Sequence, residues 1–178
     1  MQLYIKIQHI VAKVSTVLFG SDALIRYYKK RGMKIGKNPR IFSDLNVSEP
    51  YLVEIGDNVT MSSDVEIITH DNSIIKCLDG KTDVFGKVVI GNNCFIGARS
   101  VIMYGVELAD NTIVAAGSVV TKSVTEKGKI IGGNPAKIIG DTEVFANKYK
   151  DYALDMRGLS REEKRRLIEK RQDILIKR

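Results

Sequence analysis

His70 is the side chain in this sequence whose type best suits moving a proton at neutral pH, because an unperturbed imidazole titrates near ~6.5. The chain has only one other histidine, His9, so a zinc site built from three histidines is excluded and no metal is expected. Asp71 follows His70 directly, and Glu49 lies upstream. A carboxylate that accepts one imidazole N–H fixes the tautomer and makes the other nitrogen more basic. Such a pair activates a hydroxyl, which is a poor nucleophile until its proton is taken. A lone histidine is more often a solvated structural residue, so its place in the fold decides between the two readings.

The elements that place His70 are written in a repeat. From Ile90 a six-residue beat runs unbroken through Ile90, Ile96, Ile102, Leu108, Val114 and Val120. The residue after each is mostly small: Gly91, Gly97, Met103, Ala109, Ala115 and Thr121. The fifth place is small or β-branched: Cys94, Ser100, Val106, Thr112, Ser118 and Val124. Upstream the beat recurs as Ile35, Ile41 and Val47 and, after a two-residue slip, as Ile55, Met61 and Ile67. Ile, Leu, Val and Met fill 55 of 178 positions, so twelve matches in a row arise by chance about once in a million, before allowance for frame choice. A period of six fits neither an amphipathic helix nor a uniformly alternating strand. It fits a short strand plus a corner, three to a triangular coil, with the leading aliphatic inward and the small residue after it at a tight corner. Coils then stack as parallel strands about 4.8 Å apart. The fold class expected is an all-β core, a left-handed parallel β-helix of hexapeptide repeats, flanked by N-terminal and C-terminal α-helices.

One long interruption, residues 71–87, follows His70 immediately. Insertions in solenoids map to loops on one face and often to binding. If Ile67 and Ile102 lead equivalent faces, His70 is level with Gly105 and Ser123 on later coils. On the preceding coil the matching stretch is Glu49-Pro50-Tyr51. Either Glu49 or Asp71 is then a candidate partner for the imidazole, with Glu49 favoured. Cys94 sits at an inward place and reads as core, which leaves no evident nucleophile for an acyl-enzyme.

Leu3, Ile7, Ile10, Val14 and Val17 recur at helical spacing over residues 2–18. Capping the open end of the prism is the role expected for that helix, with peripheral membrane contact as the alternative. Ser21 or Asp22 caps a second short helix that ends at Gly32. Ser160 and Glu163 form a capping box that opens a C-terminal helix to about Lys177. The organisation expected is a helical segment at 1–33, the β-helix at 34–140 and a second helical segment at 141–178. No run of about 18 apolar residues predicts a transmembrane helix, and Lys6, His9 and Lys13 interrupt the apolar core that a signal peptide needs. Two cysteines, Cys77 and Cys94, make no disulfide framework, so the cytoplasm is the expected compartment. The net charge is +7. It lies in a knot at Arg26, Lys29, Lys30 and Arg31 and in the last eighteen residues, with no zinc-finger spacing or aromatic-interleaved basic strand, so nucleic acid is not the expected partner.

The runs I-G-A-R-S-V-I-M at 96–103, V-A-A-G-S-V-V-T-K at 114–122 and G-G-N-P-A-K-I-I-G at 132–140 resemble hexapeptide-repeat acetyltransferases. With I-T-H-D at 68–71, S-E-P-Y-L at 48–52 and the C-terminal helix, the likeness is greatest to the branch that O-acetylates capsular and other surface polysaccharides. It spans about residues 33–140. The resemblance implies that His70 is the catalytic base of an acetyl-CoA-dependent O-acetyltransferase, acting by direct transfer to a saccharide hydroxyl. It also implies a CoA groove lined by Ala98, Ala116, Thr121 and Lys122, with Lys137 near the CoA phosphates, and a homotrimer with sites between adjacent subunits. Ala98 stands where galactoside-type members have a serine, and Gly140 where they have a second basic residue. N-acylation of an amino-sugar nucleotide is the second enzymatic reading. A non-catalytic β-helix binding protein is the third, against which the interrupting loop and its histidine argue.

Overall fold

The computed structural model describes residues 7, 10, 11, 14, 22–45 and 47–176. Its strands are short and lie on three faces that the chain visits in rotation. The first face stacks Lys34–Ile35, Val53–Ile55, Val88–Ile90 and Glu107–Leu108, all parallel. The second stacks Arg40–Ile41, Thr60–Met61, Phe95–Ile96, Ile113–Val114 and Lys129–Gly133, and closes with the antiparallel strand Ala136–Asp141. The third stacks Glu66–Ile67, Val101–Ile102 and Val119–Val120. Each unbroken coil takes eighteen residues, since Ile96 is level with Val114 and Ile102 with Val120.

The core follows the six-residue beat. All twelve leading aliphatics are buried, none more than 8% exposed. The fifth-place residues from Cys94 to Val124 are buried beside them. Hydroxyls at these places are satisfied by corner carbonyls: Ser100 Oγ and Ser118 Oγ donate to Ala115 O at 3.0 and 2.6 Å, and Thr112 Oγ1 to Ala109 O at 2.7 Å. A small polar side chain therefore fits inside without an unmet hydrogen bond.

The corners differ from the sequence expectation in one respect. The bend comes three residues after the leading aliphatic, where Asn38, Asn58, Asp64, Asn93, Arg99 and Asn111 take positive φ between 52 and 60°, and Gly105 and Gly117 take φ of 77 and 71°. Asn and Asp tolerate this left-handed region better than most side chains. The small residue just after the aliphatic has another task. A Cβ on Gly97 would sit 2.5 Å from the amide nitrogen of Ala116, and one on Gly91 2.7 Å from that of Asp110. Smallness there permits one coil to lie against the next.

The two breaks in the beat fall at one corner, the one leaving the third face, on neighbouring coils. Residues 48–52 bulge out as a short 3-10 turn, Pro50–Leu52. Residues 71–87 leave as a hairpin rather than a bare loop: His70–Asp71 pairs antiparallel with Val84–Phe85 around a 3-10 turn at Ser73–Lys76. Val47, the third-face position of the first coil, is buried without forming a strand.

The second of the two expected N-terminal helices is present. Helix α1, Asp22–Lys30, buries Leu24, Ile25, Tyr27 and Tyr28 in the core, with Tyr28 Oη donating to Asp44 Oδ1 at 2.8 Å. It ends where Gly32 takes φ +97°. The helix expected over 2–18 lies mostly outside the described residues, as does Ser21. Its described members Ile7, Ile10, Val11 and Val14 are helical but 50–60% exposed, so the apolar face that packs on the first coil is that of α1.

The chain divides into two compact units, one through Thr142 and one from Glu143 to Arg178. Helix α2 is Thr142–Tyr149 and helix α3 is Arg161–Lys170. Ser160 and Glu163 form the expected capping box, but α3 stops short of Lys177. Gln172 Nε2 donates to Ile168 O at 2.9 Å, taking the carbonyl that a continuing helix would use, and a 3-10 turn follows at Gln172–Ile174. Among the described residues no helix is long and apolar enough to cross a membrane.

Candidate active site

The third-face register carries the site. Ile67, Ile102 and Val120 are level, so His70 is level with Gly105 and Ser123 along one edge. The 48–52 bulge on the coil below swings Glu49 toward this edge. Pro50 anchors the bulge in the interior, and Leu52 N–H closes the turn onto Glu49 O at 3.0 Å. Glu49 Oε2 then accepts from Thr69 Oγ1 at 2.6 Å and pairs with His70 Nδ1 at 2.8 Å. A carboxylate can only accept, so Nδ1 carries the proton and the Nε2 lone pair is left for a substrate proton. The imidazole is one-third exposed, while Glu49 is 16% exposed, so the base faces solvent and its partner is sheltered. The Glu49 hydrogen bond raises the His70 pKa above its ordinary value, opposed by partial desolvation and supported by the negative charges of Glu49, Asp83 and Asp71.

Asp71, the other candidate partner, does not reach the imidazole. Its Oδ1 accepts from Ser73 N–H at 2.8 Å and its Oδ2 from Tyr104 Oη at 3.3 Å. These bonds, the Ser73 amide first, hold its carboxyl below the usual range. Successive side chains of a strand point to opposite sides, so His70 and Asp71 diverge. Asp71 instead ties the start of the hairpin to the next coil.

Four residues near His70 went unnoticed in the sequence. Thr69 gives Glu49 its second bond, Tyr104 holds Asp71, the Phe85 ring lies 5.9 Å from the imidazole, and the Asp83 charge acts on it. The register that placed Gly105 beside His70 already implied Tyr104 beside Thr69. Phe85 and Asp83 carried no signal, since the hairpin pairing that returns them cannot be read from a seventeen-residue insertion.

The donor-side candidates separate onto two edges. Thr121 and Lys122 are exposed on the edge that holds His70, two coils along. Ala98 and Ala116 stack on the edge leaving the second face, where Gly117 N–H donates to Ala98 O at 2.8 Å. Lys137 is exposed in the terminal hairpin, level with Gly132. The alanine edge carries only methyl side chains, and Lys122 and Lys137 present exposed ammonium groups. One chain by itself does not join the alanine edge to the histidine edge. Cys94 is buried with its thiol pushed up to about 11 by burial and bonded to Ala109 O at 3.3 Å, so it is an inert core residue.

Comparison with known proteins places this geometry in a family. Residues 87–122 match the family model described as the hexapeptide repeat of succinyl-transferase. Protein CapG of Staphylococcus aureus is 42% identical over 142 residues, 77% of this chain and 82% of that protein. Galactoside O-acetyltransferase of Escherichia coli is 31% identical over 124 residues, 68% of this chain but 61% of the relative's length. The crystal structure of a hexapeptide-repeat-containing acetyltransferase from Vibrio cholerae, complexed with acetyl coenzyme A, superposes with a TM-score of 0.60 at 20% identity, covering 78% of this chain and 87% of that one. A three-faced coil of hexads sharing this much sequence with such proteins identifies the chain as a member of the hexapeptide-repeat acetyltransferase family.

Proposed function

We propose that this protein transfers an acetyl group from acetyl-CoA to a hydroxyl of a saccharide, in the assembly of a capsular or other surface polysaccharide. The observation that carries the reading is the Glu49–His70 pair, a base of fixed tautomer at an exposed edge beside the one long insertion of the coil. The acetyl-CoA complex of the Vibrio cholerae structure and the saccharide named for the Escherichia coli relative support donor and acceptor class. In this reading the coil winds left-handed, as in the family. The active form is a cytoplasmic homotrimer, because a cyclic assembly sets the alanine edge of one protomer against the histidine edge of the next.

Acetyl-CoA supplies an activated thioester carbonyl. His70 Nε2 takes the proton of the acceptor hydroxyl as the oxygen attacks that carbonyl, and Glu49 stabilises the imidazolium that results. Backbone N–H groups at the corners answer the oxyanion without any reorganisation. The imidazolium returns its proton to the departing thiolate, leaving free CoA and an acetyl ester. Lys122 and Lys137 hold the phosphates, with Ala98, Ala116 and Thr121 along the groove. Thiol release from acetyl-CoA, measured across a panel of sugars and sugar nucleotides bearing hydroxyls or amines, tests the reading. Turnover on amines alone overturns O-acetylation, and no turnover with CoA binding absent overturns the enzyme.

A further inference from the structure

The first thirty-one residues contain six Lys and Arg and one acid, Asp22, a net charge of +5 in a chain whose total is +7. Two described features lie in this stretch. In α1 the apolar residues Leu24, Ile25, Tyr27 and Tyr28 are buried, at 9% exposure or less, while Arg26, Lys29 and Lys30 form the opposite, solvent face. Upstream, Ile7, Ile10, Val11 and Val14 are helical at i, i+3, i+4 and i+7, the spacing of one continuous stripe, and all are 50–60% exposed. Lys6 precedes the stripe in sequence and Lys13 lies between Val11 and Val14. An aliphatic stripe of this kind is normally buried by something.

We infer that this N-terminal segment is a peripheral docking surface for an anionic lipid membrane, the Ile7–Val14 stripe entering the acyl boundary and the Arg26, Lys29 and Lys30 face meeting the headgroups. Charge selects the occupant. A second copy brought against the stripe in a symmetric contact brings its own +5 with it, and like charges oppose that approach. A nucleic acid answers the basic residues but leaves four aliphatic side chains unmatched against a phosphate backbone. An anionic bilayer surface satisfies both, since apolar insertion and attraction to acidic headgroups act together on such helices.

The test uses the full chain and vesicles of phosphatidylcholine with or without about 30% phosphatidylglycerol. Co-sedimentation is expected with the anionic vesicles and not the neutral ones, falling on the order of tenfold as salt shortens the Debye length from about 10 Å to about 3 Å. Ile10→Gln with Val14→Gln keeps the charge and is expected to lower vesicle affinity at least tenfold while leaving the thermal unfolding midpoint and acetyl-CoA turnover unchanged. Lys29→Glu with Lys30→Glu is expected to lower it about tenfold or more. Equal binding by the Ile10/Val14 variant shows only general adhesion of a basic protein and overturns the inference. A change in assembly mass in that variant shows that a second copy covers the stripe, and overturns it as well. Absence of binding to anionic vesicles at low salt does the same.

Discussion

Glu49→Gln removes a negative charge from beside His70 and leaves an acceptor of nearly the same shape. Glu49 Oε2 takes both the Thr69 hydroxyl at 2.6 Å and the His70 Nδ1–H at 2.8 Å. A glutamine carbonyl in the same place keeps both bonds but makes them neutral. Hydrogen bonds to a charged partner contribute roughly 1 kcal/mol more than neutral ones, which is a factor of about five to ten in rate if felt fully at the imidazolium stage. Glu49→Ala removes both bonds and unlocks the tautomer, and the loss rises to on the order of 10²-fold. The pH profile separates this positioning role from a merely structural one. His70 acts as a base when neutral, so kcat/KM rises with pH through its folded pKa, which Glu49 raises above the ordinary value. In Glu49→Gln the inflection moves to lower pH even as the plateau falls. The assay is thiol release from acetyl-CoA across pH 5 to about 9 with a verified acceptor. A plateau that falls while the inflection stays in place refutes the pairing. So does an inflection that moves to higher pH.

His70→Ala is expected to lower kcat by about 10²–10⁴-fold with acetyl-CoA affinity by calorimetry nearly unchanged; wild-type turnover in the purified variant removes His70 from the mechanism. Replacing Lys122 and Lys137 together by Ala is expected to raise the KM for acetyl-CoA, with a smaller change in kcat, and to blunt its salt dependence, because phosphate contacts act alike on ground and transition states. Unchanged donor KM makes both lysines solvated surface charges. Light scattering is expected to report a trimer at micromolar concentration, and a stable, active monomer refutes the assembly. Gly97→Ala is expected to destabilise the fold by about 1–3 kcal/mol in chemical denaturation, since its Cβ would sit 2.5 Å from Ala116 N, whereas a neutral effect shows that the coils part without cost.

A solenoid is unusually legible because each contact is a fixed offset in sequence. The leading aliphatics from Ile35 to Val120 were readable as core, since only a buried position tolerates so regular a run of Ile, Leu, Val and Met. Stacking register followed from the same count, and with it the nearness of Glu49 to His70 across twenty residues. The breaks in the beat were legible as breaks, but not in what they did. Counting did not show that Pro50 anchors a bulge that aims Glu49 at His70, or that residues 71–87 return as a hairpin bringing Phe85 beside the imidazole. Those depend on side-chain direction and on non-local pairing, which periodicity does not encode. The choice between Glu49 and Asp71 was likewise a tertiary decision. Asp71 is nearer in the chain, but the strand turns its carboxylate away to Ser73 and Tyr104. The corner chemistry also needed coordinates, because a small residue after the aliphatic, as at Gly91 and Gly97, serves coil stacking while the left-handed bend falls two residues later, on Asn, Asp or Gly at every such corner but that of Arg99. The apolar spacing of the N-terminal stretch marked a helix without saying what covers it. The burial of α1 and the exposure of Ile7, Ile10, Val11 and Val14 came only from packing, since amphipathic periodicity is the same for a helix that closes a core and one that meets another surface.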